Sequence, residues 1–315
     1  MASKRALITG ATGFIGSHVA RRLLQRGYEV HVVCRSSSHF DRLRDVRRRL
    51  RIHAVGLDDR DLLRRTVQAI APDYILHLAG AVMHAGVPCS PEQVVRTNVL
   101  GTINLIDACD AVPYAGFVNT GDAFEYGPKR RPAREGDRCC PRTLDGKTKL
   151  LATHYARYAA LARHKPILTL RLFSVFGPLD HPRRLVPQVI ASALSRARLR
   201  ASRPDVARDY LYVDDVADLY LRAMTAAARL GGEILNAGSG QATTLAEVID
   251  TVGVLARRKP DVHWGAFPLA AHDRGCWVAD VTKVRALLRW KPRFALENGL
   301  RATLRWARRQ PDLSP

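Results

Sequence analysis

Short apolar runs alternate with longer amphipathic stretches along the first half of the chain. Five of these runs are rich in β-branched and aromatic residues and are typical of strands: RALITG, YEVHVVCR, RIHAVGLD, DYILHLAG and YAGFVNTG. The stretches between them carry apolar residues at helical spacing, as in FIGSHVARRLLQRG and DLLRRTVQAIA. Strands that alternate with helices in this way predict βαβ units built around a parallel sheet.

Later segments extend this pattern and then change it. Longer helices are predicted at Pro91–Cys109 and at Lys147–Arg163, and the strand ILTLRLFSVFG follows the second helix. The segment Gly127–Arg142 is rich in proline and arginine, which predicts irregular structure. In RDYLYVDDVADLY, a short strand leads into a helix that Asp214 and Asp215 are placed to cap.

The two halves of the chain are not separated by a low-complexity linker, and no internal repeat is present. We therefore expect an α/β protein with a Rossmann-type doubly wound parallel sheet and a smaller, interwoven C-terminal lobe that binds substrate. Residues 1–177 are predicted to form the dinucleotide-binding domain, with residues 209–238 returning to it. Residues 178–315 are predicted to form mainly the second lobe.

Composition narrows the class of protein. The chain has 315 residues and a formal charge of +21, with basic runs scattered over many predicted elements. This positive charge either lies on solvated helix faces or serves to attract an anion. Because no nucleic-acid-binding motif accompanies it, a small phosphorylated ligand is favoured over nucleic acid. The six cysteines have no metal-ligand spacing, and neither a signal peptide nor a bilayer-spanning run of about 20 apolar residues is present. We expect a cytoplasmic protein with reduced cysteines and without a metal.

A glycine-rich turn joins the first strand to the first helix. In ITGATGFIGSHV, Gly10 permits a tight turn, Gly13 allows a pyrophosphate to approach, and Gly16 lets helix and strand pack closely. The start of the helix then offers N–H groups and a positive dipole end to the anion. The residues predicted to contact a dinucleotide here are Gly10, Thr12, Gly13, Phe14, Ile15 and Gly16.

The end of the second strand bears on the choice of dinucleotide. An acidic residue usually meets the ribose 2′-hydroxyl of NAD there, but this chain has Arg35 and Ser36. A guanidinium beside hydroxyl groups suits a 2′-phosphate, so NADP is predicted over NAD. Asp58, after the third strand, is placed either to accept from the adenine amino group or to cap the helix that follows.

These motifs, with others in the same order, resemble the extended short-chain dehydrogenase/reductase family, in its nucleotide-sugar epimerase/dehydratase branch. The matching segments are TGATGFIG, PDYILHLAG, TNVLGTINLIDAC, EYGP, RLFSVFGP, RDYLYVDDVA, LNAGSG and VADVTKVRALLRWKPRFALENGL. The resemblance implies an NAD(P)-binding Rossmann domain, with Leu78 and Ala79 beside the cofactor, and a lobe that clamps a nucleoside-diphosphate sugar. It also implies that Arg208, with Arg274 as a second candidate, grips the diphosphate. A homodimer built on the two long helices is expected.

The catalytic residues that the resemblance implies are incomplete. Family members carry a Ser or Thr before the EYGP-like motif and a Tyr-x-x-x-Lys on the next helix, whose tyrosine exchanges a proton with the sugar. In register, Asp122 takes the hydroxyl position, Asp145 takes the tyrosine position, and Lys149 is kept. Thr120 lies two residues too early to substitute, and Tyr155 follows the lysine instead of preceding it.

This exchange leaves two hypotheses open. An aspartate is shorter than a tyrosine and, beside a lysine, is expected to be ionised and unable to donate a proton. Asp122 and Asp145 could instead share a proton, which predicts an epimerase or ketoreductase with a non-standard acid–base set. The alternative is a protein that binds NAD(P) and ligand without standard hydride transfer. A dehydratase is disfavoured, because Phe124 stands where the resemblance requires an acidic residue. The segments predicted to line the substrate site are His84–Pro91 and Gly127–Arg142.

Overall fold

The computed structural model describes residues 3–83, 89–195, 197–268 and 274–310. Its strands are β1 Arg5–Thr9, β2 Glu29–Cys34, β3 Leu50–Ala54, β4 Tyr74–His77, β5 Gly116–Asp122, β6 Ile167–Leu172, β7 Ser174–Phe176, β8 Leu199–Arg200, β9 Ala207–Arg208, β10 Tyr210–Tyr212, β11 Ile234–Ala237, β12 Thr243–Thr244 and β13 Val262–His263. Its helices are α1 Phe14–Gln25, α2 Arg60–Ile70, α3 Pro91–Val95, α4 Gly101–Cys109, α5 Leu144–Ala162, α6 Leu185–Ser195, α7 Val213–Ala226, α8 Leu245–Ala256, α9 Thr282–Leu288 and α10 Leu296–Ala307.

Seven strands form the central sheet, in the order β11-β6-β5-β4-β1-β2-β3, and every neighbouring pair is parallel. The chain runs outward from β1 through β2 to β3 and then crosses back to β4 on the other side of β1. The direction of winding therefore reverses between β1 and β4. At such a point the carboxyl ends of the strands open a crevice of the kind that binds dinucleotides. The predicted Rossmann-type α/β fold is confirmed.

Helices cover both faces of this sheet, which explains why inner strands such as β1 and β4 are nearly continuous apolar runs. Successive residues of β1 enter different cores, since Ala6 and Ile8 belong to one buried cluster and Leu7 belongs to the other. Helices α1 and α7 pack together on the first face, and α2, α4 and α5 pack on the second. A parallel sheet buried on both faces needs apolar side chains in both directions.

The predicted helix Pro91–Cys109 forms, but a π-helical turn at residues 96–100 interrupts it. Ser90 caps its start, because its side chain accepts a hydrogen bond from the Gln93 N–H and the Gln93 side chain accepts one from the Ser90 N–H. The widened turn buries Asn98, whose side chain exchanges hydrogen bonds with the N–H and carbonyl groups of Ala81. The irregular turn therefore holds the segment after β4 in place, and π turns are often found near functional sites.

Helix α5 begins at Leu144, three residues earlier than predicted. The Thr143 side chain caps this end by accepting a hydrogen bond from the Gly146 N–H at 3.1 Å. Asp145 consequently lies in the first helical turn, one turn before Lys149 and on the same side of the helix. These two side chains can therefore serve one site.

The chain after residue 177 contributes one strand to the central sheet and builds a separate layer of short elements. Strand β11 returns to the sheet beside β6, whereas the predicted strand ILTLRLFSVFG is two strands, since β7 pairs with β10 instead. Helices α6, α8 and α10 pack with the pairs β8–β13 and β9–β12. Within the described ranges, no helix is long and apolar enough to cross a membrane. The domain boundary at residue 177 and the cytoplasmic location stay predictions.

The start of α7 differs from its prediction. Asp214 and Asp215 lie in the first turn, but the capping position is Tyr212, which provides no side-chain cap. The buried Asp215 carboxylate instead accepts hydrogen bonds from the backbone N–H groups of Arg293 and Phe294, each at 3.0 Å. Asp215 therefore ties the segment before α10 to α7.

Candidate functional site

Two glycines close the turn between β1 and α1. Gly10 has a left-handed φ of +71°, and a Cβ there would lie 2.5 Å from the backbone nitrogen of Ala79. A Cβ at Gly16 would overlap the Gly10 carbonyl oxygen. The predicted cofactor neighbours Leu78 and Ala79 thus lie directly against the turn, at the point where the winding of the sheet reverses.

Helix α1 starts at Phe14 with Gly13 as its cap, and among the described residues no side chain caps the first N–H groups at that end. These N–H groups of a 12-residue helix are therefore left for an anion. Thr12 and Ile15 flank the same end, so the six predicted loop residues lie together. The arrangement fits the pyrophosphate of a dinucleotide.

Replacing Gly16 with alanine is expected to abolish dinucleotide binding, measured by calorimetry, and to lower the melting temperature. The added Cβ would push α1 away from the Gly10 turn that forms the anion site. Gly27→Ala is the matched control: it removes a glycine at a left-handed position with open space around it, beyond the other end of α1. Normal binding by Gly16→Ala, or equal loss in the control, would contradict this assignment.

The residues predicted for the adenosine end of the cofactor lie at the ends of neighbouring strands. Arg35 and Ser36 are exposed after β2, and Asp58 is exposed after β3, with its carboxylate 3.8 Å from the Arg96 guanidinium. The cap of α2 is Asp59, whose carboxylate accepts a hydrogen bond from a first-turn N–H at 3.1 Å. The alternative in which Asp58 caps that helix is therefore wrong.

Lys149 lies at the centre of the predicted catalytic set. Its Nζ donates a hydrogen bond to the Thr120 carbonyl oxygen at 3.0 Å. Burial lowers the pKa of Lys149, and the negative charges of Asp122, Glu125 and Asp145 act in the opposite direction. Asp122 and Asp145 therefore lie close enough to the Lys149 ammonium for their charges to act on it.

The Asp145 carboxylate is turned toward the segment that follows β4. Its Oδ1 accepts a hydrogen bond from the Met83 N–H at 3.2 Å, and its Oδ2 lies 3.4 Å from the same nitrogen. Only 7% of the residue is exposed. In the same segment, a Cβ at Gly80 would stand 3.1 Å from the Nζ of Lys149. Asp145 and Lys149 thus lie against the segment that follows the carboxyl end of β4.

Asp122 ends β5 and begins a short 3-10 turn at residues 123–125. Its carboxylate accepts a hydrogen bond from the Phe124 N–H at 2.7 Å, and its own N–H donates to the Glu125 carboxylate at 2.8 Å. Asp122 is therefore a capping residue as well as a candidate catalytic residue, and its position depends on this turn.

The nearby hydroxyl groups are engaged elsewhere and do not replace the missing ones. The Thr120 hydroxyl lies 2.6 Å from both the His77 carbonyl oxygen and the Tyr220 hydroxyl. The Tyr155 hydroxyl donates to the Asp107 carboxylate at 2.5 Å. The departure from the family pattern is therefore not compensated by either of these residues.

Two buried polar groups beside the set were missed by sequence reasoning. The Asn98 side chain donates to the Thr148 hydroxyl at 3.0 Å, and its oxygen is 3.5 Å from the position of a Cβ at Gly80. His77 ends β4, and burial together with Lys149 lowers the pKa of His77 to about 3, so its ring is neutral. For His77 the available signal was a histidine inside the strand-like run DYILHLAG, whereas Asn98 is one of several polar residues in TNVLGTINLIDAC and had no such signal.

The two arginines predicted to hold a diphosphate lie on neighbouring segments of the C-terminal half. The Arg208 guanidinium is half-buried over the Trp277 ring, 5.6 Å from its centroid, and the exposed Arg274 precedes that tryptophan by three residues. The fully buried Asp209 carboxylate accepts hydrogen bonds from three backbone N–H groups. This anchors the chain directly after Arg208.

Only one of the two predicted substrate segments is fully described. Gly127–Arg142 runs beside residues 276–280, with backbone hydrogen bonds that join Ala133 to Val278 and Asp280. In the segment His84–Pro91, residues 84–88 lie outside the described residues. Across the described ranges, no group of three or more His, Cys, Asp or Glu side chains is placed to hold a metal ion.

Comparison with known proteins agrees with this geometry. The model of the NAD dependent epimerase/dehydratase family matches residues 6–238. UDP-glucose 4-epimerase 1 of Oryza sativa subsp. japonica is 30% identical over an alignment of 340 positions, which covers 97% of this chain and 95% of that protein. The UDP-glucose 4-epimerase of Thermotoga maritima, solved with UDP-glucose, superposes with a TM-score of 0.87 at 26% identity, over 96% of this chain and 98% of that one. The UDP-glucose 4-epimerase of Thermus thermophilus, solved with NAD, gives 0.82 at 25% identity, over 96% and 98%.

These findings overturn the predicted preference for NADP. The matching family is described as NAD dependent, and the Thermus thermophilus structure contains NAD. The prediction rested on Arg35 and Ser36, which are exposed after β2 in a chain with 42 arginines. An exposed basic side chain at that point does not by itself specify a 2′-phosphate. The NADP prediction is wrong.

The family match extends from β1 to the residue after β11, which is well over half of the chain. It includes the glycine turn, the crevice between β1 and β4, and the helix that carries Asp145 and Lys149. The predicted membership in the nucleotide-sugar branch of the extended short-chain dehydrogenases is confirmed. The chain therefore belongs to the NAD dependent epimerase/dehydratase family of enzymes.

Proposed function

We propose that the protein is an NAD-dependent 4-epimerase of a nucleoside-diphosphate sugar, in which Asp145 transfers the proton in place of the usual tyrosine. The observation that carries the proposal is the position of Asp145 in the first turn of α5, one turn before the buried Lys149 and beside the segment after β4. The similarity to UDP-glucose 4-epimerases over nearly the whole chain supports it.

The charge of an aspartate favours one direction of chemistry. An epimerase begins by oxidising a sugar carbinol, so its resting site needs a base that can remove the hydroxyl proton. The Asp145 carboxylate can take that proton on an oxygen and return it when the carbonyl is reduced on its other face, so no proton is gained or lost over the cycle. A ketoreductase begins with reduction and needs a proton donor, which an ionised carboxylate is not. Asp145 therefore favours an epimerase over a ketoreductase.

The described residues fit a bound dinucleotide. The glycine turn and the free N–H groups of α1 would hold its pyrophosphate, with Leu78 and Ala79 against the turn and Asp58 toward the adenine. When bound, NAD+ supplies the hydride acceptor for the sugar carbon. The Lys149 ammonium already donates one hydrogen bond to a carbonyl oxygen and has two further N–H groups to orient ribose hydroxyls.

A nucleoside diphosphate suits the basic side of the site. Arg208 and Arg274 lie on adjacent segments, and each guanidinium can present two N–H groups to phosphate oxygens. The formal charge of +21 adds a long-range attraction for such an anion. The sugar would then lie between these arginines and the crevice lined by Asp145.

Two alternatives are weaker. A protein that only binds its ligands is not supported, because the relatives named above are epimerases and the glycine turn and Lys149 are retained. A dehydratase remains disfavoured, since Phe124 stands in place of the acidic residue. The Phe124 ring packs against the Trp277 ring, with 4.9 Å between the ring centroids.

The proposal is tested by incubating the protein with NAD+ and each member of C4-epimeric UDP-sugar pairs, hexoses and uronic acids, and separating the products by anion-exchange chromatography. Interconversion of at least one pair is expected. No interconversion of any pair by protein that binds NAD+ would reject the proposal. A product lighter by one water would instead indicate dehydratase chemistry.

We expect NAD+ to bind more tightly than NADP+ in parallel calorimetric titrations. The expectation follows from the family match and from the exposed positions of Arg35 and Ser36. Among the described residues, no ion pair holds the Arg35 guanidinium in place for a 2′-phosphate. Arg35→Ala should therefore change the ratio of the two affinities little. A ratio that moves tenfold toward NAD+ in that variant would show that Arg35 does contact a 2′-phosphate.

A homodimer is the expected assembly. Leu151, Tyr158 and Leu161 of α5 are each more than half exposed, and Leu100 before α4 is half exposed, so both long helices present apolar side chains outward. A second copy of the chain would cover this face. Sedimentation should show a dimer at micromolar concentration and a monomer for Tyr158→Arg. Val254→Arg, at an exposed position of α8, is the matched control. A monomeric wild-type protein would reject the assembly.

A further inference from the structure

The Glu125 carboxylate is buried beneath the candidate site. Glu125 is 0% exposed and Arg171 is 2% exposed, and the Nε of Arg171 lies 2.7 Å from the Oε2 of Glu125. The Oε1 of Glu125 accepts hydrogen bonds from the Asp122 N–H at 2.8 Å and from the Thr153 hydroxyl at 3.0 Å. These four residues are called the Glu125 cluster below.

The Glu125 cluster joins three elements of the site. Asp122 ends β5, Thr153 lies on α5 one turn after Lys149, and Arg171 lies on β6. The turn is built closely around the carboxylate, since a Cβ at Gly121 would stand 2.5 Å from Oε1 of Glu125. One side chain therefore sets the distance between the turn that carries Asp122 and the helix that carries Asp145 and Lys149.

Glu125 also belongs to the electrostatic surroundings of Lys149. The Lys149 ammonium donates to the Thr120 carbonyl oxygen on β5, two residues before Asp122, and Glu125 accepts hydrogen bonds from Asp122 and from Thr153, one helical turn after Lys149. The charged or titratable groups that act on the ammonium are Asp122, Glu125, Asp145 and His77, whose ring is neutral. Burial lowers the pKa of Lys149, and each of the three carboxylates raises it. Glu125 is one of three negative charges that favour the ammonium form.

Arg171 stabilises the charge on Glu125. Burial raises the pKa of the Glu125 carboxyl, and the Arg171 guanidinium, the Asp122 N–H and the Thr153 hydroxyl act in the opposite direction. The guanidinium also lies over the Tyr126 ring, 4.5 Å from its centroid. Its Nη1 is buried and, within the described residues, has no hydrogen-bond partner. The Glu125 carboxylate at Nε is the opposite charge in contact with this guanidinium.

We propose that Glu125 is a positioning residue of the site: it fixes the turn that carries Asp122 against α5 and supplies a negative charge that keeps Lys149 in its ammonium form. The ion pair with Arg171 holds that charge in the interior. The inference rests on the proposed function only in so far as Lys149 belongs to the site, and its test requires neither substrate nor turnover.

The test separates the charge of Glu125 from its reach. The chain has eight lysines, so lysine labelled with carbon-13 at Cε gives few signals, and the Lys149 signal is the one lost in Lys149→Met. In Glu125→Gln, which keeps the reach and removes the charge, the Lys149 titration midpoint should fall by about one pH unit or more. In Glu125→Asp, which keeps the charge and shortens the side chain, the midpoint should stay close to that of the wild type.

The effect of the length of the side chain at position 125 is measured by hydrogen exchange at the Asp122 amide. Glu125→Asp draws the carboxylate back from the Asp122 N–H, so hydrogen exchange at that amide should accelerate about tenfold. Glu125→Gln should change this exchange less, because its amide oxygen can still accept. Glu135→Gln is the matched control: its half-buried carboxylate also accepts a backbone N–H, that of Asn236 at 2.8 Å, but Glu135 does not belong to the Glu125 cluster.

An unchanged Lys149 midpoint in folded Glu125→Gln would overturn the electrostatic role, and unchanged Asp122 exchange in Glu125→Asp would overturn the positioning role. If Glu125→Gln does not fold because Arg171 is left unpaired, the same titration is made on Glu125→Gln/Arg171→Met, where the midpoint should again be lowered. If neither variant folds, Glu125 serves only the stability of the fold and the proposal fails. An enzymatically inactive wild type would reject the proposed function but would leave both readouts intact.

Discussion

Replacing Asp145 with asparagine is expected to slow C4 epimerisation by about 10²–10⁴-fold, the usual contribution of a positioned acid or base. Asparagine keeps the shape of the side chain and can still accept the Met83 N–H through its amide oxygen, but it cannot take up a proton. The affinity for NAD+ should be unchanged. Turnover is measured by product chromatography and affinity by calorimetry.

Two further variants make this result specific. Asp73→Asn is the matched control, because Asp73 also accepts a backbone N–H, that of Arg5 at 2.7 Å. Asp73 precedes β4 and so lies at the amino ends of the strands, away from the site at their carboxyl ends. His84 follows Met83 in the sequence and lies outside the described residues, and His84→Gln removes the titratable group nearest to Met83 along the chain. Full activity of Asp145→Asn with loss of activity in His84→Gln would reject Asp145 as the base.

Replacing Arg171 with methionine is expected to lower the free energy of unfolding by about 3–5 kcal/mol. Methionine fills much of the same volume but leaves the Glu125 carboxylate buried without the cation that lies 2.7 Å away. The loss is largest when the carboxylate remains ionised, because a buried charge without a partner is costly. Urea titration gives the change in midpoint and slope.

Comparison with an exposed ion pair isolates the effect of burial. Arg301 pairs with Glu297 on α10, where both side chains are about half exposed, so Arg301→Met should cost between zero and about 1 kcal/mol. The double variant Glu125→Gln/Arg171→Met should recover much of the stability lost in Arg171→Met, since neither charge is then left alone. Equal stability of Arg171→Met and the wild type would contradict an ionised Glu125.

Features that depend on neighbouring residues in the chain were predictable. The glycine turn follows from three glycines between a strand and a helix, and it forms where expected because Gly10 needs a positive φ and Gly16 a close approach. The parallel strands followed from apolar runs buried on both faces. The family resemblance rests on motifs of the same local kind, and the family match confirms it.

Local composition misled in two places. Arg35 and Ser36 suggested a 2′-phosphate, but the residue types after a strand do not reveal whether a side chain is held toward a ligand or lies in solvent. Asp58 suggested a helix cap, and the neighbouring Asp59 caps the helix instead. In both cases the deciding quantity is the direction of a side chain, which depends on the packed backbone.

The sequence by itself determined the α/β architecture, the dinucleotide turn and the register that puts Asp145 and Lys149 one helical turn apart. Only the tertiary structure decided which partners surround them. Met83 meets Asp145 across 62 residues, and Arg171 meets Glu125 across 46, because the parallel sheet brings the carboxyl ends of β4, β5 and β6 side by side. Burial then sets how strongly these groups interact, because the Glu125–Arg171 ion pair lies inside the core, where solvent does not weaken it. Burial and contacts between distant segments arise only when the chain packs, so periodicity and motif spacing do not reveal them.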